Sequence, residues 1–242
     1  MERHQDRGLT GNIYKGRVVR VLPGMQAAFV DVGLERAAFL YVAEVLEHSK
    51  SAMRAEGVNM SEKSGRSSDR RPYQSPGIED LLRDGQDVVV QVTKEPLGTK
   101  GAQITTHITL PGRFLVYMPT FNHIGVSRRI EDEKRRSELR RIVEEIRQEG
   151  AGGFIVRTVS EDSSDKDLKA DMDYLLKLWE DIQQRAMRAS SPNILHRELS
   201  LDLKVIRDLY TENVRKVTVD SSEQHREISS FMERFMGEMS DK

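Results

Sequence analysis

NIYKGRVVRVLPGMQAAFVDVGLERAAFL, residues 12–40, decides how the front half of this chain folds. Pro23-Gly24 and Gly33-Leu34-Glu35 are turn signals, and they cut the stretch into three short strands. Side chains alternate across a strand, so Ala28, Val30 and Val32 share one face while Phe29 and Asp31 take the other. In the third strand Ala38, Leu40 and Val42 form the inner row, with Phe39 and Tyr41 outside. Each of these strands has an aliphatic row that fills a small barrel and, beside it, a large ring the barrel does not need. Lys15, Arg17 and Arg20 decorate the first strand. Outward rings beside cations suit single-stranded nucleic acid, because bases stack on the rings while the cations hold phosphates. A strand phenylalanine is also an ordinary core residue; two rings on one outward side, with basic flanks, bring the two readings level.

Working outward, Met1 to Gly11 is a polar leader without a core pattern. Ser49 to Pro76 holds seven serines, scattered charges and few apolar residues, a composition expected of a mobile loop. Gly77 to Leu82 reads as a short helical turn, Val88, Val90 and Val92 alternate as a fourth strand, and a fifth is expected around Ile104 to Leu110. Five strands with a long connection between the third and fourth predict an OB-fold barrel over 12–110, interrupted by the loop 49–76.

From Pro111 the pattern changes to α/β. Phe114 to Met118 and Gly125 to Ile130 are candidate strands. Glu131 to Glu149 carries Leu139, Ile142, Val143 and Ile146 at one-face helical spacing. Phe154-Ile155-Val156 is a strand ending at Arg157-Thr158, and Lys166 to Arg188 is a second amphipathic helix with Leu168, Met172, Leu175, Trp179 and Ile182 on one side. Together these predict a small α/β domain over 111–200. Residues 201–242 read as a helix, a strand from Val214 to Val219 and a last helix, with Ser221-x-x-Gln224 as its capping box. One strand and two helices make an incomplete subdomain, so an unpaired strand edge and an uncovered apolar side on the last helix are expected. The fold class is thus α+β.

Composition sets bounds. With 242 residues the chain is long enough for one large or two ordinary domains. The formal net charge of −1 means that any basic footprint is local. The absence of cysteine excludes disulfides and thiolate zinc sites, and fits a reducing cytoplasm. No apolar run reaches the roughly 20 residues of a membrane span, and no signal-peptide pattern opens the chain, so a cytoplasmic location is expected.

The motifs GNIYKGRVVRVLPGMQAAFVDVG, KEPLGTKGAQITT, ITLPGRFLVYMP, GVSRRIE and GGFIVRT, in this order from Gly11 to Thr158, resemble the ribonuclease E/G family, on its ribonuclease G side. Beyond Thr158 the likeness thins. The resemblance implies an S-one-type OB domain that grips single-stranded RNA, then a sensor of a 5′-monophosphate end, then a partial ribonuclease-H-like segment from Leu201. It places RNA-facing aromatics on Phe29 and Phe39 and a basic contact on Lys100, beside Lys15 and Arg17 of the first strand. It places a 5′-phosphate pocket on Gly112, Val116, Arg128, Arg157 and Thr158, with Arg129 an alternative to Arg128. The chemistry agrees: a guanidinium fork matches phosphate oxygens, a threonine hydroxyl donates to a neighbouring oxygen, and main-chain N–H groups complete the shell.

The resemblance also implies that hydrolysis belongs to a downstream DNase-I-like domain whose aspartates hold Mg²⁺. No Asp-rich strand end follows Val219, and the family's zinc-binding cysteine pair has no counterpart. The expectation is therefore a recognition region with no catalytic or metal-binding residues of its own. It would work with the missing catalytic domain of the same protein, with Mg²⁺ as that enzyme's cofactor and RNA, not DNA or membrane, as its partner. The alternative is a stand-alone single-stranded RNA-binding adaptor without end sensing. Oligomeric state is left open.

Overall fold

The computed structural model describes residues 8–45, 76–210 and 214–235. Most of the expected loop from Ser49 to Pro76, and the start of the leader, lie outside the described residues. Contacts divide the chain into two compact units. Among the described residues, one comprises 9–45 and 76–107 with Arg188–His196, the other residue 8, Ile108–Met187, 197–210 and 214–235.

The first unit is the barrel. Strands β1 (Ile13–Leu22), β2 (Ala27–Asp31) and β3 (Ala38–Tyr41) form an antiparallel meander. Helix α1 (Ile78–Leu81) then leads to β4 (Asp87–Lys94), and β5 (Gln103–Thr105) pairs parallel to β3 and antiparallel to β4. Pairing of β1 with β4 closes the five strands on themselves. The expected inner rows are inside: Ala28, Val30, Ala38, Leu40 and Val90 are fully buried, and Val32, Val92 and Ile104 nearly so. Each valine or leucine so buried contributes about 1.5–3 kcal/mol of transfer free energy, and alternation leaves the outward rows for other uses.

Two strand boundaries differ from the sequence reading. The fifth strand stops at Thr105, and Leu110 instead opens β6 (Leu110–Pro111) in the other unit. A strand not foreseen, β10 (Asn193–His196), pairs with the first residues of β1. Four residues after Ser190-Ser191-Pro192 show no periodicity; what makes them a strand is the part of β1 that β2 does not reach.

In the second unit β6, β7 (Leu115–Met118), β9 (Gly153–Val156) and β8 (Ile124–Val126) lie side by side in that order. Helix α2 (Glu133–Ile146) packs on β8 and β9 through Leu139, Ile142 and Val143, and Asp132 caps it by accepting the Lys134 N–H at 2.9 Å. Helix α3 (Asp165–Arg188) buries Leu168, Met172, Leu175 and Ile182. Leu115, Tyr117, Phe154, Val156, Ile124 and Val126 make the covered face of the sheet.

Beyond, α4 (Leu201–Leu209) and α5 (Ser222–Phe235) pack together. The strand expected at Val214–Val219 does not form. Val214, Val217 and Val219 pack instead against Ile206, Tyr210, Ile228, Phe231 and Met232, so side-chain burial, not a ladder, holds the segment. The apolar side of α5 is covered, contrary to expectation. The exposed apolar row is on α4, at Leu201, Val205 and Leu209. No helix among the described residues is long and apolar enough to cross a membrane.

Candidate nucleic-acid interface and phosphate site

Strand register assembles one outward rung across the barrel sheet. Arg20 faces Phe29, Phe29 faces Phe39, Phe39 faces Gln103, and Gln103 faces Lys94. Directly opposed residues share a face, so two rings sit in the middle of a row with a cation at each end. The ring centroids of Phe29 and Phe39 are 5.9 Å apart at 69°, an edge-to-face pair that leaves each ring partly open. Tyr41, two residues further along β3 on the same face, stacks on Phe39 at 6.5 Å and 27° and is 48% exposed. Arg20 and Lys94 are exposed and form no ion pair with a described residue.

Lys100 lies in the β4–β5 loop, where Leu97 and Lys100 exchange both main-chain hydrogen bonds, at 3.2 and 3.0 Å. Arg36 holds that loop by donating to the Gly98 carbonyl at 2.7 Å, and the Ala102 carbonyl accepts the Phe39 N–H at 2.8 Å. A Cβ on Gly101 would run into the Ala37 carbonyl, so only glycine lets the loop lie against the start of β3. Lys100 is exposed on this docked loop, three residues before Gln103, which opens β5.

Lys15 and Arg17 have different surroundings. The Arg17 Nε donates to Asp87 at 3.0 Å, and Lys15 donates to the Ala189 carbonyl at 2.9 Å and lies 3.8 Å from Asp87. The Ser191 hydroxyl also donates to Asp87, at 2.6 Å. That hydrogen bond, with the one from Arg17, holds the Asp87 carboxyl below its ordinary range. These two cations therefore tie β1 to β4 and to the segment before β10.

The five residues expected to receive the phosphate come together at one end of the second sheet. Pro111, Val116, Ile155 and Gly125 form a partly exposed apolar rung across β6, β7, β9 and β8. At its edge β8 continues into Ser127-Arg128 and β9 into Arg157-Thr158. The Ser127 and Thr158 hydroxyls are 2.9 Å apart, which joins the two strand ends. Arg128 and Arg129 are both exposed; the Arg129 N–H donates to the Ser127 hydroxyl at 3.3 Å, while Arg128 has no hydrogen bond to a described residue.

Gly112 belongs to a tight turn between β6 and β7 whose main-chain groups are engaged on both sides. The N–H groups of Arg113, Phe114 and Leu115 donate to the Asp171 carboxylate at 3.0, 2.8 and 2.8 Å, and the Gly112 N–H donates to the Leu115 carbonyl at 2.8 Å. Burial pushes the Asp171 carboxyl up against the opposite pull of those three N–H bonds. On the carbonyl side, Arg157 Nη1 donates to Gly112 at 2.6 Å and Arg113 at 3.0 Å, while Arg207 Nη1 donates to Pro111 at 3.0 Å.

Arg157 has one further partner, which sequence reading missed. Its Nη1 and Nη2 donate to the two carboxylate oxygens of Asp208 on α4, at 2.8 and 3.3 Å, and Arg207 grips the same carboxylate from its Nε and Nη2 at 2.9 and 3.2 Å. Burial alone would raise the Asp208 pKa; the hydrogen bonds and charges of the two arginines outweigh it and hold it at about 2. No local pattern announces this contact, because it joins residues 51 positions apart. Gln103 and Lys94 were not singled out in the sequence, whereas Arg20 and Tyr41 were already set on the outward side of their strands. Among the described residues no three His, Asp or Glu side chains gather to hold a metal ion.

A closed five-stranded barrel with an outward aromatic row, joined in sequence to an α/β unit, has the architecture of an OB-fold protein with an appended α/β domain. The sequence model of the ribonuclease E/G family matches residues 109–242. The chain is 44% identical over all 242 residues to ribonuclease G of Haemophilus influenzae, covering 46% of that protein, and 42% identical to ribonuclease G of Escherichia coli, covering 47%. It is 36% identical over 230 residues to ribonuclease E of a Nostoc species, which is 94% of this chain and 30% of that one. The chain belongs to the ribonuclease E/G family, and it spans about half the length of the ribonuclease G relatives it matches. The match extends past the last quoted motif, at Thr158, to residue 242.

Proposed function

We propose that these residues form the RNA-gripping and 5′-end-sensing region of a single-strand-specific endoribonuclease of the ribonuclease G type, acting in cytoplasmic RNA processing and decay. In this reading the barrel row of Arg20, Phe29, Phe39 and Lys94, with Lys100 and Tyr41 beside it, stacks bases and holds phosphates. Gly112, Val116, Arg128, Arg157 and Thr158 receive a terminal 5′-monophosphate. Cleavage, with Mg²⁺ as cofactor, is assigned to the full-length enzyme and not to these residues. The observation that carries the reading is the Arg–Phe–Phe–Gln–Lys rung, since two open rings between two uncommitted cations serve no barrel core.

Fluorescence titration of a 5′-monophosphorylated oligoribonucleotide against its 5′-hydroxyl twin tests it. Tighter binding of the phosphorylated strand is expected, and equal affinity removes the sensor. One observation favours the adaptor reading instead: four of Arg157's contacts are already made within the protein. Good RNA affinity with a flat response to the 5′ group is the outcome that reading requires.

A further inference from the structure

The Arg157 guanidinium has five N–H donors, and the structure shows where three of them go. Both Nη1 hydrogens point to acceptors, shared among the Gly112 and Arg113 carbonyls and Asp208 Oδ1. One Nη2 hydrogen goes to Asp208 Oδ2. What remains is the side edge, Nε–H with the second Nη2–H, and no described residue accepts from it. This edge is itself a planar two-donor fork of the kind that matches two oxygens of one phosphate.

We infer that Asp208 is a positioning residue for 5′-phosphate recognition: by occupying the end of the Arg157 fork it fixes the guanidinium plane and presents the Nε–Nη2 edge to the phosphate. The inference rests on the end-sensing reading above and names what aims its central arginine. Asp208 suits the task because it is itself held: Arg207, whose side chain is only 10% exposed, binds both of its oxygens and reaches the Pro111 carbonyl as well. The Arg157 side chain is 27% exposed, and its Nε is not among the fully buried nitrogens without a partner. The charges close to Arg157 are Asp208, Arg207 and Asp171, the last of them already satisfied by three main-chain N–H groups. Arg128, exposed just past the end of the neighbouring strand, is a further cation at this end of the sheet. A displaced-carboxylate scheme, in which phosphate must first evict Asp208 from Arg157, makes the opposite prediction.

The test is the ratio of affinities for 5′-monophosphorylated and 5′-hydroxyl oligoribonucleotide, measured for wild type, Asp208→Asn and Asp208→Glu, with thermal unfolding followed alongside. Positioning predicts that Asp208→Asn lowers the ratio at least fivefold while 5′-hydroxyl affinity stays unchanged, and that Asp208→Glu, which keeps the charge but moves it by one methylene, recovers part of the loss. A ratio that rises, as eviction requires, or stays constant overturns the inference. If Asp208→Asn does not fold, the Arg157 Nε–H resonance of wild type decides. It must shift on adding phosphorylated strand and not on adding its hydroxyl twin; no difference between the two also overturns the inference. A wild-type ratio of one is distinct from all of these: it removes end sensing altogether.

Discussion

Phe29 and Phe39 face each other across the β2–β3 pair with their ring centroids 5.9 Å apart and their planes at 69°. The edge of one ring meets the face of the other, both rings stay partly exposed, and Tyr41 extends the row along β3. Replacing Phe29, Phe39 or Tyr41 by Ala is expected to weaken single-stranded RNA binding by about 1–3 kcal/mol per lost stacking contact. The loss should be the same for phosphorylated and hydroxyl 5′ ends, because the rings read bases. Tyr41→Phe should bind as wild type. A loss confined to one kind of end would show that the row is not a base platform.

The outward cations of the barrel fall into two groups, and salt titration should separate them. Arg20 and Lys94 have no described acidic partner, whereas Lys15 and Arg17 are committed to Asp87 and Ala189. Arg20→Gln or Lys94→Gln should each reduce the slope of log affinity against log salt by about 0.7, the value for one phosphate on a single strand. Arg17→Gln should leave the slope nearly unchanged. A full drop in slope for Arg17→Gln would return it to the RNA-contact set that the sequence alone implied.

The barrel was readable from its sequence because alternation is a local signal. Ala28, Val30, Ala38 and Leu40 could be assigned inward, and Phe29 and Phe39 outward, without knowing any neighbour. What could not be read was commitment. Lys15 and Arg20 look alike on one strand, and only the return of the chain at Ala189 and Ser191 distinguishes them. The same holds for Arg157: its place at a strand end was legible, but its carboxylate partner comes from a helix far along the chain. The strand at Asn193–His196 is the backbone version of this limit, since its identity is conferred by the edge of β1. At Val214–Val219 a β-like composition gave no strand, because those valines pack on α4 and α5.

The Asp208 carboxyl carries a pH signature. Its pKa falls from 3.8 to about 2 on folding, through its two arginines. A depressed folded-state pKa contributes stability that is fully present above the unfolded value and is lost as pH falls toward the folded one. The contribution is therefore complete above about pH 5 and fades between about pH 4 and pH 2. Allowing for solvent screening, it amounts to roughly 1–2 kcal/mol. The stability difference between wild type and Asp208→Asn, measured by denaturant titration, should shrink across that window. A difference that stays constant down to pH 2 would mean that the arginines do not stabilise the ionised form.

The turn between β6 and β7 makes the last prediction, because it has no slack. A Cβ on Gly112 would lie 2.5 Å from Asp171 Oδ2 and 2.6 Å from Oδ1, and three main-chain N–H bonds prevent that carboxylate from yielding. Gly112→Ala should therefore cost about 1–3 kcal/mol of stability, the usual range for overpacking. It should also lower the preference for a 5′-phosphate, since the Gly112 and Arg113 carbonyls hold Arg157. Gly125→Ala is the control: its Cβ would meet Ile155 at 3.6 Å, ordinary contact, and its effect should stay within about 0.5 kcal/mol. Asp171→Ala is expected to destabilise by leaving three N–H groups without their acceptor. Combined with Gly112→Ala it should cost less than the sum, because the added methyl then enters the space the carboxylate vacates. Strict additivity in this double-mutant cycle would show that the turn relaxes independently of Asp171, and Arg157 would then have lost the rigid frame on which its aim depends.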